Sequence, residues 1–213
     1  MKLLGSIKYI SVVFFCLLAV GIYSILVTDK YQLHLYLNQF HTPFFDYFFK
    51  YTTWLGDGIF FGLVIVFVFF WNKKYVYLFL FAGLITIVLT YLMKNYIFFN
   101  YPRPYKVLGE QLHIIDGVKM RNWHSFPSGH ATSAFVLFSL LIFISKKFKW
   151  QIVFLFFAVI AGLSRVYLSQ HYLEDVIGGS VIGVLIALIS YNFAPKINLL
   201  NTKKSKKSDN FNS

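Results

Sequence analysis

His171 and Asp175 stand four residues apart where an apolar run begins, a spacing that puts both side chains on one face of a helix. A carboxylate that accepts from one imidazole nitrogen fixes the tautomer and leaves the other nitrogen free as base or nucleophile. Upstream, Pro127-Ser128-Gly129-His130 runs straight into the apolar segment 131–145. Proline suits the first turn of a helix, and glycine lets the backbone come close to a ligand. A helix starting here aims free N–H groups and a positive dipole end at any anion above it, with Ser128 and His130 on either side. Three cations extend the set: Lys94 at the end of an apolar run, Arg103 between Pro102 and Pro104, and Arg165 shortly before His171. Taken singly, each has a plainer reading, such as a helix-start aspartate, an interfacial histidine or a snorkelling cation. Taken together, they suit a phosphoryl group, whose transferring oxygens need distributed positive charge while one imidazole attacks and the other protonates the leaving oxygen. No cluster has metal-site spacing, so chemistry without a metal or other cofactor is expected.

The elements that must position these residues are membrane spans. Of 213 residues, 58% are hydrophobic, 21% aromatic and only 13% charged, and the mean hydropathy is +0.63. That balance is too apolar for a soluble domain of this length. Six apolar runs, 9–27, 59–71, 75–93, 131–145, 151–168 and 176–193, predict an all-α, six-transmembrane helical bundle. A cleaved signal peptide competes for the first run, but the run is long and lacks a small-x-small cleavage site. Between the first two, Leu33, Tyr36, Leu37 and Phe40, then Phe44, Phe45, Phe48 and Phe49, fall at helical spacing and predict short amphipathic interfacial helices in 29–57. The connection 94–127 is the longest and most polar, and Asp116-Gly117 between two short apolar stretches predicts a hairpin-like loop. The lone Cys16 allows no internal disulfide. Residues 1–195 read as one six-span domain and 196–213 as a basic, disordered cytoplasmic tail.

Charge sets the orientation. With six spans, the N-terminus, the turns at 72–74 and 146–149 and the tail share one side, which carries twelve lysines against the single acid Asp209. The other side carries eight basic residues and seven acids. By the positive-inside rule both termini are cytoplasmic, and taking the cell as bacterial places the chain in its inner (cytoplasmic) membrane. The lysines then serve topology and anionic lipid, and nucleic acid is not an expected partner. The candidate site residues emerge on the periplasmic or extracellular face.

Lys94…Arg103-Pro104, Pro127-Ser128-Gly129-His130 and Ser164-Arg165 followed by His171 and Asp175 resemble the three signatures of the type 2 phosphatidic acid phosphatase family. The resemblance covers about residues 30 to 190. In the first signature eight residues separate Lys94 from Arg103 where six are usual, so a bulge or extra partial turn must absorb two. The resemblance implies a six-helix lipid-phosphate phosphatase in which His171 is the nucleophile that forms a phosphohistidine, Asp175 orients it and His130 protonates the leaving group. Lys94, Arg103, Arg165, Ser128 and the Gly129 amide would hold the phosphoryl oxygens. The implied substrate is a lipid phosphate or diphosphate: undecaprenyl diphosphate, phosphatidate, phosphatidylglycerophosphate or a lipid A phosphate. Two other readings stand beside it. A vanadium-haloperoxidase-like enzyme would use the same pocket for vanadate, though six spans speak against it. A non-catalytic lipid-phosphate binder or transporter has no use for two histidines and an orienting carboxylate. His124, near the site, reads as a substrate-loop or interface residue, and His34, His41 and His113 as structural.

Overall fold

The structure, a computed structural model, describes the backbone of residues 2–209 and the side chains of residues 7–193. Among these every regular element is helical. The α-helices are α1 (Lys2–Val27), α2 (Lys30–Asn38), α3 (Pro43–Thr52), α4 (Gly58–Trp71), α5 (Val76–Leu92), α6 (Pro104–Leu108), α7 (Gly129–Ile144), α8 (Phe148–Tyr167) and α9 (Leu173–Asp209). Four helical stretches are long and apolar enough to cross a membrane: Ile7–Val27, Lys73–Ile97, Phe148–Tyr167 and Leu173–Phe193. A fifth results if Pro43–Gly56 and Gly58–Trp71, bent by 58° at their junction, form one broken span. The chain is an integral membrane protein.

The centre of the bundle is α7. It is apolar all round, which fits a helix surrounded by others rather than one facing a solvent. Its Val136, Leu137 and Leu140 pack with Phe61 and Val68 of α4, Phe79 and Ala82 of α5, and Ile186 and Ala187 of α9. Its opposite face, Ala134, Phe135, Phe138 and Ile142, meets Ile10 and Phe14 of α1 and Leu155, Ala158 and Ala161 of α8. The outer helices expose large apolar side chains such as Phe67, Phe70 and Ile87, as expected where the solvent is lipid. The buried Gln151 donates from Nε2 to the carbonyls of Ser145 (3.0 Å) and Ile142 (3.4 Å), answering acceptors that the end of α7 leaves open.

Lipid tails give no hydrophobic reason for two helices to meet, so close approach depends on small residues. Gly179 and Gly183, one turn apart on α9, provide it. A Cβ on Gly179 would come within 2.7 Å of the Ser128 carbonyl oxygen, and one on Gly183 within 2.7 Å of the Thr132 carbonyl oxygen.

Two expectations change. The connection after α6 does turn at Asp116–Gly117, but no strand ladder flanks it. Side chains from elsewhere take its backbone groups instead: Asn38 bonds both the N–H and the C=O of His113, Lys50 the carbonyl of Asp116, and Gln170 that of Lys119. The tail expected to be disordered from Lys196 continues α9 to Asp209. A helix already nucleated propagates at the gain of one hydrogen bond per residue, and lysine is a fair helix former. Residues 210–213 of the expected tail lie outside the described residues.

Gly179→Ala should lower thermal stability in detergent by about 1–3 kcal/mol, since backbone must move to admit the methyl. Gly62→Ala on α4, where a Cβ meets nothing within 4 Å, should lower it by less than about 0.5 kcal/mol. Equal effects of the two would remove the close α7–α9 contact as a requirement.

Candidate active site

The C-terminal ends of α5 and α8 and the N-terminal ends of α7 and α9 gather at one end of the bundle, beneath the 98–128 connection. Six of the eight expected site residues, Lys94, Arg103, Gly129, His130, Arg165 and His171, line one cavity there of about 980 Å³. The other two, Ser128 and Asp175, are fully buried behind it.

Asp175 joins the two histidine-bearing segments. Its Oδ2 accepts from the Ser125 hydroxyl and from the Tyr172 N–H (2.9 Å), and its backbone carbonyl accepts from the Ser128 N–H (3.0 Å). The same Oδ2 lies 3.4 Å from His171 Nδ1, a contact within ion-pair range but too long for a good hydrogen bond. Nδ1 has no other partner among the described residues. Nδ1 therefore faces the carboxylate, and Nε2 is the nitrogen left for the cavity. Burial, followed by the charges of Arg103, Lys94 and Arg165, holds the His171 pKa well below the usual 6.5. The ring is thus neutral at physiological pH.

Ser128 caps α7: its side chain accepts from the Ala131 N–H at 3.4 Å and its carbonyl from Thr132 Oγ1 at 2.9 Å. This leaves the first N–H groups of the helix beside His130. His130 Nε2 lies 3.7 Å from Asp57 Oδ2 at the start of α4. Gly56 allows that approach, since a Cβ there would come within 2.5 Å of the His130 carbonyl oxygen.

Neutral oxygens hold the cations. Lys94 lies in a π-turn, Met93–Ile97, that widens the end of α5. A π-turn accommodates extra residues in a helix, which answers the long spacing to Arg103. Lys94 Nζ donates to the His124 carbonyl (2.8 Å), while His124 Nδ1 lies 2.8 Å from the Lys94 carbonyl, a reciprocal clasp. Arg103 donates from Nε to the Trp123 carbonyl (2.9 Å) and from Nη1 to the Gln170 carbonyl (2.9 Å). Burial first, then Arg121, lowers its pKa to about 10, so it stays charged at neutral pH. Arg165 Nη1 donates to Thr53 Oγ1 (2.6 Å), and Nη2 lies 3.4 Å from Gln170 Oε1.

Sequence reasoning missed Ser125, Asp57, Thr53, Gln170 and the part His124 plays. Ser125 adjoins the recognised turn, and Gln170 precedes His171. Thr53 and Asp57 lie seventy or more positions from the nearest histidine signature, where no local pattern points to them. His34, read as structural, lies 3.2 Å by Nε2 from Ser169 Oγ in the turn before His171.

Residues 73–199 match the model of the PAP2 superfamily. The chain belongs to the PAP2 superfamily. It is 28% identical over 113 residues to the undecaprenyl-diphosphatase BcrC of Bacillus subtilis, covering 53% of this chain and 54% of that protein. The match thus spans about half the length of that relative. The crystal structure of Aquifex aeolicus LpxE is similar with a TM-score of 0.69 and 27% identity, over 78% of this chain and 96% of that one. That of a PAP2-type phosphatidylglycerolphosphate phosphatase from Bacillus subtilis is similar with a TM-score of 0.65 and 25% identity, over 92% and 97%. These PAP2 structures share the membrane-embedded helical fold described above.

The depressed pKa has a measurable consequence. In ¹⁵N-histidine spectra of the micellar protein, His171 should remain neutral at about pH 6.5, where an unperturbed histidine is half protonated. Arg103→Gln removes a repelling cation, so the protonation midpoint should move to higher pH. A wild-type midpoint at the ordinary value would contradict the buried, cation-flanked placement.

Proposed function

We propose that this protein is an integral membrane phosphatase that hydrolyses a lipid phosphate or diphosphate through a phosphohistidine. One observation carries the reading: His171 faces a carboxylate through Nδ1, keeps Nε2 for the cavity, and shares that cavity with His130 and three cations. The relatives support it, since they are phosphatases of undecaprenyl diphosphate and phosphatidylglycerolphosphate.

In the first step His171 Nε2 attacks the phosphorus in line with the leaving oxygen, and His130 gives that oxygen its proton. Lys94, Arg103, Arg165 and the free N–H groups of α7 balance the charge on the equatorial oxygens. In the second, His130 takes a proton from water, which displaces His171 and releases inorganic phosphate. Asp175 orients His171 and stabilises positive charge on it as the N–P bond forms. Asp57 is placed to do the same for His130.

The topology belongs to this reading. Residues 1–195 form one six-span domain, with α3–α4 as a broken span and α7 as a short one. Both termini are cytoplasmic, in the inner membrane, and the site opens on the periplasmic or extracellular side. Support comes from two sources. The site residues occupy one end of the bundle, and the basic turns after α4 and α7 lie at the other ends of the helices they connect.

Purified protein in detergent should release phosphate from at least one of undecaprenyl diphosphate, phosphatidylglycerophosphate, phosphatidate and lipid A. His171→Ala should lower the rate by about 1,000-fold or more with melting behaviour retained. Full activity in that variant would refute the phosphohistidine mechanism.

A further inference from the structure

The cavity holds more positive charge than one phosphoryl group requires. Besides the three cations already described, Lys50, Lys119 and Arg121 line it, and no Asp or Glu side chain does. A phosphate monoester carries about two negative charges at neutral pH, which Lys94, Arg103 and Arg165 already match. Three more cations around the same space repel those three unless a second anion lies between them.

The extra cations are held over the site. Gln170, whose carbonyl anchors Arg103, donates its Nε2 to the Lys119 carbonyl at 3.0 Å. The Arg103 N–H donates to the Asn122 carbonyl at 2.8 Å, so the backbone on both sides of Arg121 is tied to the residues around the first phosphoryl position. The Arg121 charge is felt at Arg103, the first cause after burial of its lowered pKa. Lys50 reaches the same segment from α3 by donating to the Asp116 carbonyl. Among the described residues, the Arg121 guanidinium and the Lys119 ammonium have neither a hydrogen bond nor an ion pair. They are side-chain donors on a loop whose backbone is tied down on both sides.

Resting on the phosphatase reading above, we propose that Arg121, Lys119 and Lys50 form a second anion subsite at the cavity mouth for the lipid-proximal phosphoryl group of a lipid diphosphate, making lipid diphosphates the preferred substrate class. The terminal phosphorus bonds to His171 Nε2 as its bond to the bridging oxygen breaks. The proton of His130 goes to that oxygen. The leaving group is a lipid monophosphate, whose growing charge falls among Arg121, Lys119 and Lys50. Water then releases the terminal group as inorganic phosphate. The alternative occupant of such a ring is an anionic headgroup of the surrounding bilayer, which would attract the protein to its surface without distinguishing substrates.

The test uses the full chain in a neutral detergent, with farnesyl diphosphate and farnesyl monophosphate as substrates on one tail. Wild type should favour the diphosphate in kcat/KM. Arg121→Ala, alone and with Lys119→Ala, should cut the diphosphate-to-monophosphate ratio by about 10–100-fold, the weight of a charge-assisted hydrogen bond or two. Arg121→Lys should keep most of it. A ratio unchanged in the Ala variants, or equal losses on both substrates, overturns the subsite while leaving the phosphatase reading intact. If the effect appears only in vesicles containing anionic lipid, and equally for both substrates, the ring is a bilayer contact and the subsite falls. Release from neither farnesyl substrate by wild type that is active on phosphatidylglycerophosphate, phosphatidate or lipid A would overturn the subsite alone, and release from none of these lipids would remove both readings.

Discussion

A carboxylate with no exposure to solvent, Asp175, is the constraint around which the site is built. Taking a charge out of water costs several kcal/mol unless hydrogen bonds replace the lost hydration. Three groups converge on it: the Ser125 hydroxyl, the Tyr172 N–H and the His171 ring. They come from two places: Ser125 from the long connection before α7, and His171 and Tyr172 from the short turn between α8 and α9. The same residue takes the Ser128 N–H through its backbone carbonyl, so the start of α7 is fixed against the start of α9. Moving either helix would uncover the carboxylate, and the two histidines therefore keep a set relation.

The cations follow a second rule. Lys94 and Arg103 are tied to carbonyl oxygens, and Arg165 to a hydroxyl and an amide oxygen, rather than to carboxylates. A neutral acceptor fixes the direction of a guanidinium or ammonium without cancelling its charge. The positive potential stays available to whatever enters the cavity, and the low-polarity surroundings strengthen it. A carboxylate at the same positions would fix the side chains equally well and lose most of the attraction for an anion. The reciprocal Lys94–His124 clasp shows how much local structure this takes. A π-turn sets Lys94, and His124 adopts a left-handed backbone with φ 60° to meet it.

What the sequence made legible was what local order can carry. His171 and Asp175 share one helix entrance, Pro127 to His130 form one turn, and Lys94 and Arg103 stand beside recognisable breaks. The turn at Asp116-Gly117 was legible for the same reason, because glycine there takes φ 78°. The hairpin was not, since whether a turn is followed by a ladder depends on partners such as Gln170 and Asn38 far along the chain. Asp57 was hidden in the same way: a cap at a helix start looks the same in sequence whether or not its second oxygen faces a histidine, and Thr53 takes its part only through Arg165, 112 positions along the chain. The span count met a different limit. The runs 59–71 and 131–145 are apolar but short, so length alone gives four or five crossings where alternation of charge gives six.

That shortness bears on how a lipid reaches the site. At 1.5 Å per residue, the 16 residues of α7 rise about 24 Å, against about 30 Å for the hydrocarbon core. On the six-span reading, a helix that ends level with the basic turn at 146–149 must begin several ångströms inside the opposite boundary. Gly129, His130 and the free N–H groups are then recessed below the headgroup plane. The walls above them come from the 98–128 connection and the ends of α3, α5 and α8, which supply the polar groups a recess needs where no lipid can satisfy backbone. A soluble phosphate ester would have to enter a space bordered by hydrocarbon. A lipid phosphate already has its tail there, and bringing its headgroup down to His171 leaves that tail in the solvent it prefers. The central helix is thus both the most buried element of the fold and, by its length, the one that favours an amphipathic substrate.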